Sequence, residues 1–69
     1  MSLSNEEKTG IIEQHKKSQA YILYGLELDL KEAQSVGTPD AEVVSGINAK
    51  IADVNAKIDA LNSELNNLN

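Results

Sequence analysis

Eight apolar residues in the second half of the chain alternate between spacings of three and four, and this repeat constrains the fold more than any other feature. The set is Val44, Ile47, Ile51, Val54, Ile58, Leu61, Leu65 and Leu68. Such spacing is typical of the a and d positions of a heptad, which form one apolar seam along an α-helix. An unbroken 3.5-residue period keeps the seam facing a neighbour only if the helices supercoil left-handedly. The repeat predicts a helix packed lengthwise against another helix.

The strongest break in the helical sequence lies around residues 35–40. Gly37 is expected to end a first helix in the left-handed region. Thr38 is expected to cap a second helix, with Pro39 as its first residue, where the missing N–H costs nothing. The break therefore predicts a turn between two helical arms.

The first arm opens with a capping-box pattern, in which Ser4 is followed three residues later by Glu7. We predict one domain over residues 1–69, with a helix over about 5–35, a turn at 36–38 and a helix over about 39–68. Arms of matched length around a short turn favour an antiparallel pair.

The small size of the chain adds an expectation of partners. Sixty-nine residues without cysteine can hardly stabilise a core alone. The predicted fold class is all-α, an antiparallel two-helix hairpin (coiled coil) that self-associates into a larger helical bundle. In an alternative arrangement the second arm forms a parallel coiled coil and the first arm docks elsewhere.

Placing the first arm at 100° per residue gathers an apolar stripe within about 120°. The stripe contains Ile11, Ile12, His15, Ile22, Leu23, Leu26, Leu30 and Ala33. We predict that Ile12, Leu23, Leu26 and Leu30 complete the helix-packing seam. His15 is interpreted as part of a half-buried polar layer with Gln19, or alternatively as a pH switch.

Other residues of the two arms suggest further contacts. Tyr21, Tyr24 and Leu28 follow the spacing i, i+3, i+7 almost opposite the stripe, and tyrosine is favoured at interfaces. They are either a candidate partner interface or ordinary exposed side chains. Gly10 and Gly25 are expected to mark a bend or a close helix crossing. The outer face of the second arm is small, which allows close approach of another helix or simply favours helix formation: Ser45, Gly46, Ala49, Ala52, Ala56, Ala60 and Ser63.

Composition gives little support for chemistry. The chain has one histidine and no cysteine, so the converging ligands of a metal site and a thiol nucleophile are not expected. There is no Gly-rich phosphate loop. We therefore expect no enzyme activity, no cofactor and no metal. The basic cluster of His15, Lys16 and Lys17 is too small, on a chain of net charge −5, to favour nucleic-acid binding.

Membrane insertion and secretion are not expected either. No apolar run approaches the roughly 20 residues that span a bilayer. The opening residues lack the charged-then-apolar order of a secretory signal. The cytoplasm or a virion is the expected location.

These expectations favour a non-enzymatic structural, assembly or adaptor protein that acts through coiled-coil packing, for example in a phage virion or another large particle. Its partners would be protein, either copies of itself or a partner helix. The alternative is a small co-chaperone or a regulatory module that holds a partner helix or nucleic acid. In overall shape the predicted hairpin is similar to the plasmid protein Rop and to small co-chaperones of type III secretion, a likeness of architecture alone.

Overall fold

The computed structural model describes residues 2–68 and contains two helices, α1 (Asn5–Gln34) and α2 (Ala41–Asn67). The helices pack against each other in an elongated molecule of 56 × 17 × 15 Å. The side-chain amide of Asn5 donates to the carbonyl of Leu68 at 3.0 Å, which places the start of α1 beside the end of α2. The helices therefore run antiparallel, and the predicted all-α hairpin is confirmed.

Helix α1 begins with the predicted capping box. Ser4 has extended backbone angles, and its hydroxyl accepts from the Glu7 N–H at 3.0 Å. The Glu7 carboxylate accepts in return from the Ser4 N–H at 3.0 Å. Two of the N–H groups that a helix start leaves unpaired are thereby satisfied. The acidic side chains of Glu6 and Glu7 also lie near the positive end of the helix dipole.

Helix α1 ends at Gln34 without a left-handed glycine, so the expectation for Gly37 is wrong. No described glycine has a positive φ. Ser35 closes the helix in a right-handed conformation, and both its N–H and its hydroxyl donate to the Glu32 carbonyl, at 3.2 and 2.8 Å. Because these bonds satisfy a carbonyl of the last turn, the helix ends without the glycine motif.

Helix α2 is capped by Asp40, so the predicted roles of Thr38 and Pro39 are also wrong. The Asp40 carboxylate accepts from the N–H groups of Glu42 and Val43, at 2.9 and 3.4 Å. Aspartate ranks above threonine as an N-cap, and its charge favours the positive end of the helix dipole. Pro39 therefore lies before the cap, and the connection spans residues 35–40.

The less exposed side chains form one continuous strip on each helix. The eight residues of the predicted seam, seven on α2 and Leu68 at its C-cap, are all buried or half-buried, and Val54 is the most enclosed at 5% exposed. On α1 the corresponding residues again alternate between spacings of three and four: Thr9, Ile12, Lys16, Gln19, Leu23, Leu26, Leu30 and Ala33. We call these two strips together the seam.

The predicted stripe on α1 is therefore partly wrong, since Ile11, His15 and Ile22 are exposed. The predicted stripe of α1 assumes a straight helix with 3.6 residues per turn. That period drifts by about 20° per heptad relative to a 3.5-residue repeat. The buried side of α1 instead follows the same 3-4 spacing as α2. Gln19 belongs to the seam, and Lys16 rather than His15 is its polar neighbour there.

Candidate helix-packing surfaces

The described residues, 2–68, form two helices whose surfaces carry the candidate sites. Within residues 2–68, no group of three or more histidine, aspartate or glutamate side chains could hold a metal ion. Neither α1 nor α2 has the length and apolar character needed to cross a bilayer. Three surfaces are candidates for helix packing: the seam, an exposed face with two tyrosines, and a groove.

The seam is apolar throughout on α2 but not on α1. Thr9, Lys16 and Gln19 occupy three of the half-buried positions of α1. The side-chain oxygen of Gln19 is inaccessible to solvent and has no hydrogen-bond partner. An unpaired buried acceptor costs about 1–3 kcal/mol. The α1 side of the seam therefore contributes less apolar packing to the hairpin than the α2 side.

The half-buried position expected for Gln19 is found, but sequence reasoning missed Thr9 and Lys16, because the stripe placed at 100° per residue included His15 instead. A signal for them was present. Leu23, Leu26 and Leu30 alone follow the 3-4 rule, and extending that rule toward the N-terminus reaches Gln19, Lys16, Ile12 and Thr9 in turn. Spacing, rather than residue type, was the reliable guide on this helix.

Tyr21, Tyr24 and Leu28 form an exposed surface on α1, which we call the Tyr face. Tyr21 is 71% exposed and Tyr24 is 62% exposed, and Leu28 is exposed as well. None of the three belongs to the seam. The hairpin therefore leaves three large side chains, aligned along one side of a helix, without a packing role of their own.

A second surface is an open groove of about 220 Å³ between the two helices. Its apolar lining consists of Ile22 and Leu26 from α1 and Val54 from α2. Leu26 and Val54 are also seam residues, so the groove opens directly onto the packed strip. Its charged lining comes from α2 alone: Lys50, Asp53 and Lys57. Sequence reasoning did not foresee this groove, because it placed Ile22 in the apolar stripe of the first arm that was expected to meet the second arm.

The helical glycines have no packing role within the hairpin. A Cβ atom added at Gly10, Gly25 or Gly46 would meet no neighbouring atom within 4 Å. The close crossing considered for Gly10 and Gly25 is therefore not a contact between α1 and α2. Each glycine costs its helix about 1 kcal/mol relative to alanine. Contacts between the two helices do not account for that cost.

Comparison of the chain with protein-family models, curated proteins and solved structures finds no match.

Proposed function

We propose that this chain is a non-enzymatic assembly or adaptor module that packs its exposed helix faces against helices of other protein chains, which are copies of itself or a partner helix. The Tyr face is the observation that carries the proposal. Tyr21 and Tyr24 are the only aromatic residues of the chain, and both lie on this face. A tyrosine buries a large apolar ring while its hydroxyl keeps a hydrogen bond, which suits it to interfaces.

The shallow core also supports a role in association. Ile12 at 8% and Val54 at 5% exposed are the most deeply buried side chains among residues 2–68. A domain of this size is marginally stable when its core is so small. Any partner that binds only the folded hairpin stabilises it by mass action. Association therefore serves the fold as well as the function.

For the setting, we propose a large particle such as a phage virion, or the cytoplasm. A minimal acidic helical chain suits a component that contributes shape and contacts. The proposal involves no catalysis and no cofactor, and its partners are proteins.

The proposal is tested by substituting the Tyr face. Tyr21→Ala combined with Leu28→Ala should lower the mass measured by light scattering while the helical circular dichroism is retained. The reason is that both side chains face away from the seam, so their loss removes contacts between chains and not within one. Chemical crosslinking of the same samples provides a second measure of association.

A matched control removes apolar side chains outside the helices. Leu3 precedes α1 and Val36 follows it, and both side chains are exposed. Leu3→Ala combined with Val36→Ala should leave the mass unchanged. An unchanged mass in the Tyr-face variant, under conditions where the parent chain associates, would show that the Tyr face is not the contact surface.

The small core also favours a second candidate, a co-chaperone that holds a partner helix. Such a chain should melt at low temperature alone and become more stable when the client helix is added, whereas a self-assembling component should fold without a client. The structure gives less support to a Rop-like nucleic-acid regulator. Lys16 is half-buried in the seam, so His15, Lys16 and Lys17 do not form one basic face. Absence of a gel shift at low salt would eliminate that role.

A further inference from the structure

The groove continues along α2 as a strip of exposed residues with heptad spacing. The strip consists of Val43, Gly46, Lys50, Asp53, Lys57 and Ala60. Residues three and four apart on a helix lie on one face. On α1 the exposed Ile11 and Ile22 also share one helix face, because a separation of eleven residues is close to three full helical turns. We call the α2 strip together with Ile11 and Ile22 the groove face.

We propose that the groove face is the contact by which a second copy of this chain docks, so that two hairpins form a four-helix bundle about a two-fold axis. The inference rests on the proposed function for association as such. It adds which surface joins two copies and how their α2 helices are aligned.

The first support is continuity with the existing core. Leu26 and Val54 form part of the groove lining and part of the seam. Ile22 stands beside them and remains 50% exposed. A helix laid over the groove would cover Ile22 and extend the apolar packing of the seam without rearranging either helix. A contact of this kind enlarges a core that is too small in the single hairpin.

The second support is the order of charged residues along α2. When two α2 helices run antiparallel, a lysine of one copy can meet an aspartate of the other. Consider two α2 helices packed antiparallel with the two-fold axis between Ile51 and Ala52. Lys50 of each copy then lies opposite Asp53 of the other, because the two residue numbers are equally far from the axis. In a two-fold symmetric interface both copies use the same surface, so the contact between Lys50 and Asp53 occurs twice. Both pairs join opposite charges, as electrostatic complementarity requires.

The same alignment matches large side chains with small ones. Gly46 of one copy lies opposite Lys57 of the other, and Val43 lies opposite Ala60. A Cβ at Gly46 meets nothing within the hairpin, so its surface is free to receive the long lysine stem. The alignment thus supplies a packing role for Gly46 that the single hairpin lacks.

The net charge of the groove also suits a second copy. The chain carries −5, while Lys50, Lys57 and Asp53 contribute +1, so the remaining residues together carry −6. Two identical acidic chains repel each other. Contact through the groove joins parts of the surface that lack this negative excess, and there Lys50 meets Asp53 while Lys57 packs against Gly46.

Charge reversal tests the alignment in the full chain. Lys50→Asp and Asp53→Lys should each weaken self-association about tenfold or more, since each places like charges opposite one another at two symmetry-related points. The double variant, Lys50→Asp with Asp53→Lys, restores opposite charges and should recover association. Sedimentation velocity and light scattering measure the mass against the 7.5 kDa of one chain.

Two further variants complete the experiment. Ile22→Glu places a charge on the apolar floor and should shift the mass toward that of one chain. Asp59→Lys reverses a charge on an exposed residue of α2 outside the groove face and should leave the mass unchanged. Circular dichroism verifies that each variant stays helical. If Ile22→Glu unfolds, the two single charge reversals and the double variant still test the contact.

Three results would overturn the inference. If Ile22→Glu and both single reversals keep the parent mass while the Tyr-face variant lowers it, the groove is not the contact and the proposed function stands. If the double reversal fails to recover association lost in the single variants, the two-fold alignment is wrong. If the parent chain stays at 7.5 kDa at every concentration, both the groove contact and self-assembly fail.

Discussion

At the scale of single residues, the hairpin depends on the α2 side of the seam more than on the α1 side. All eight seam residues on the α2 side are apolar, whereas Lys16 and Gln19 interrupt the α1 side near its middle. The unpaired Gln19 oxygen adds a penalty there. Substitutions that place a polar group on the α2 side therefore add to the three polar residues that α1 already brings to the seam.

Ile51→Asn should destabilise the hairpin by about 2–4 kcal/mol, because it removes a half-buried apolar side chain and buries an amide. For a chain this small, that loss is enough to unfold it. Thermal melting followed by circular dichroism measures the change, and Ile58→Asn should behave in the same way.

The neighbouring residue supplies the control. Ala52 is exposed, so Ala52→Asn should cost only the difference in helix propensity, about 0.6 kcal/mol. Equal melting temperatures for Ile51→Asn and Ala52→Asn would contradict the assignment of Ile51 to the seam.

At the scale of the helices, side chains at the ends set where each helix begins and stops. Ser4 with Glu7 starts α1, Ser35 closes it, and Asp40 starts α2. These caps satisfy backbone groups that a helix cannot pair internally.

Asp40→Ala should destabilise the hairpin by about 0.5–2 kcal/mol, because it removes the acceptor for two N–H groups of α2. Thr38→Ala, at the residue that the sequence had favoured as the cap, should change stability by much less. Urea unfolding of the two variants distinguishes the caps, and a larger loss for Thr38→Ala would contradict the structure.

Acid should weaken α1 through Glu7. Hydrogen bonds with Ser4, chiefly from its backbone N–H and then involving its side chain, lower the pKa of Glu7 below the ordinary value of 4.5. Because the folded pKa is the lower one, the contribution of Glu7 to stability is present above pH 4.5 and is lost as the pH falls through the folded pKa.

Glu7→Gln should remove that part of the pH dependence, since glutamine keeps the capping-box bond but does not titrate. Melting curves from neutral pH to below 4.5 measure the effect. Glu6→Gln, in the same helical turn but outside the capping box, should retain it. Parallel pH profiles for the parent chain and Glu7→Gln would contradict this role.

Helix α2 shows how much a sequence can predict, and α1 shows where prediction stops. An uninterrupted apolar repeat predicted α2 as a helix, and equal arm lengths predicted the hairpin. On α1 the half-burial of Gln19 was expected, but a stripe at 100° per residue put His15 beside it and missed Thr9 and Lys16. The ends of the connection were missed for a different reason. Asp40 is the stronger N-cap by residue preference, but Pro39 after Thr38 favoured an earlier start of α2, and Gly37 favoured a helix end in the left-handed region.

At the scale of the whole molecule, residues 2–68 form a thin rod that carries, besides the seam, the exposed Tyr face and a groove lined by both apolar and charged side chains. The spacing of Tyr21, Tyr24 and Leu28 predicts one shared face, and all three side chains are exposed. The groove was not predicted, because it exists only where two antiparallel helices leave Ile22 uncovered above Leu26 and Val54. A small folded unit with several such surfaces suits a component of an assembly.

The antiparallel pairing of α1 and α2 within one chain is the central claim, and a distance between the two ends tests it most directly. Spin labels at Glu6→Cys and Asn66→Cys, on exposed residues at opposite ends of the sequence, are measured by pulsed dipolar spectroscopy after dilution with unlabelled chain. The hairpin predicts a narrow distribution at about 10–25 Å, since packed helix axes lie about 8–10 Å apart. A distribution centred beyond about 40 Å, the length of α2 at 1.5 Å per residue, would contradict it.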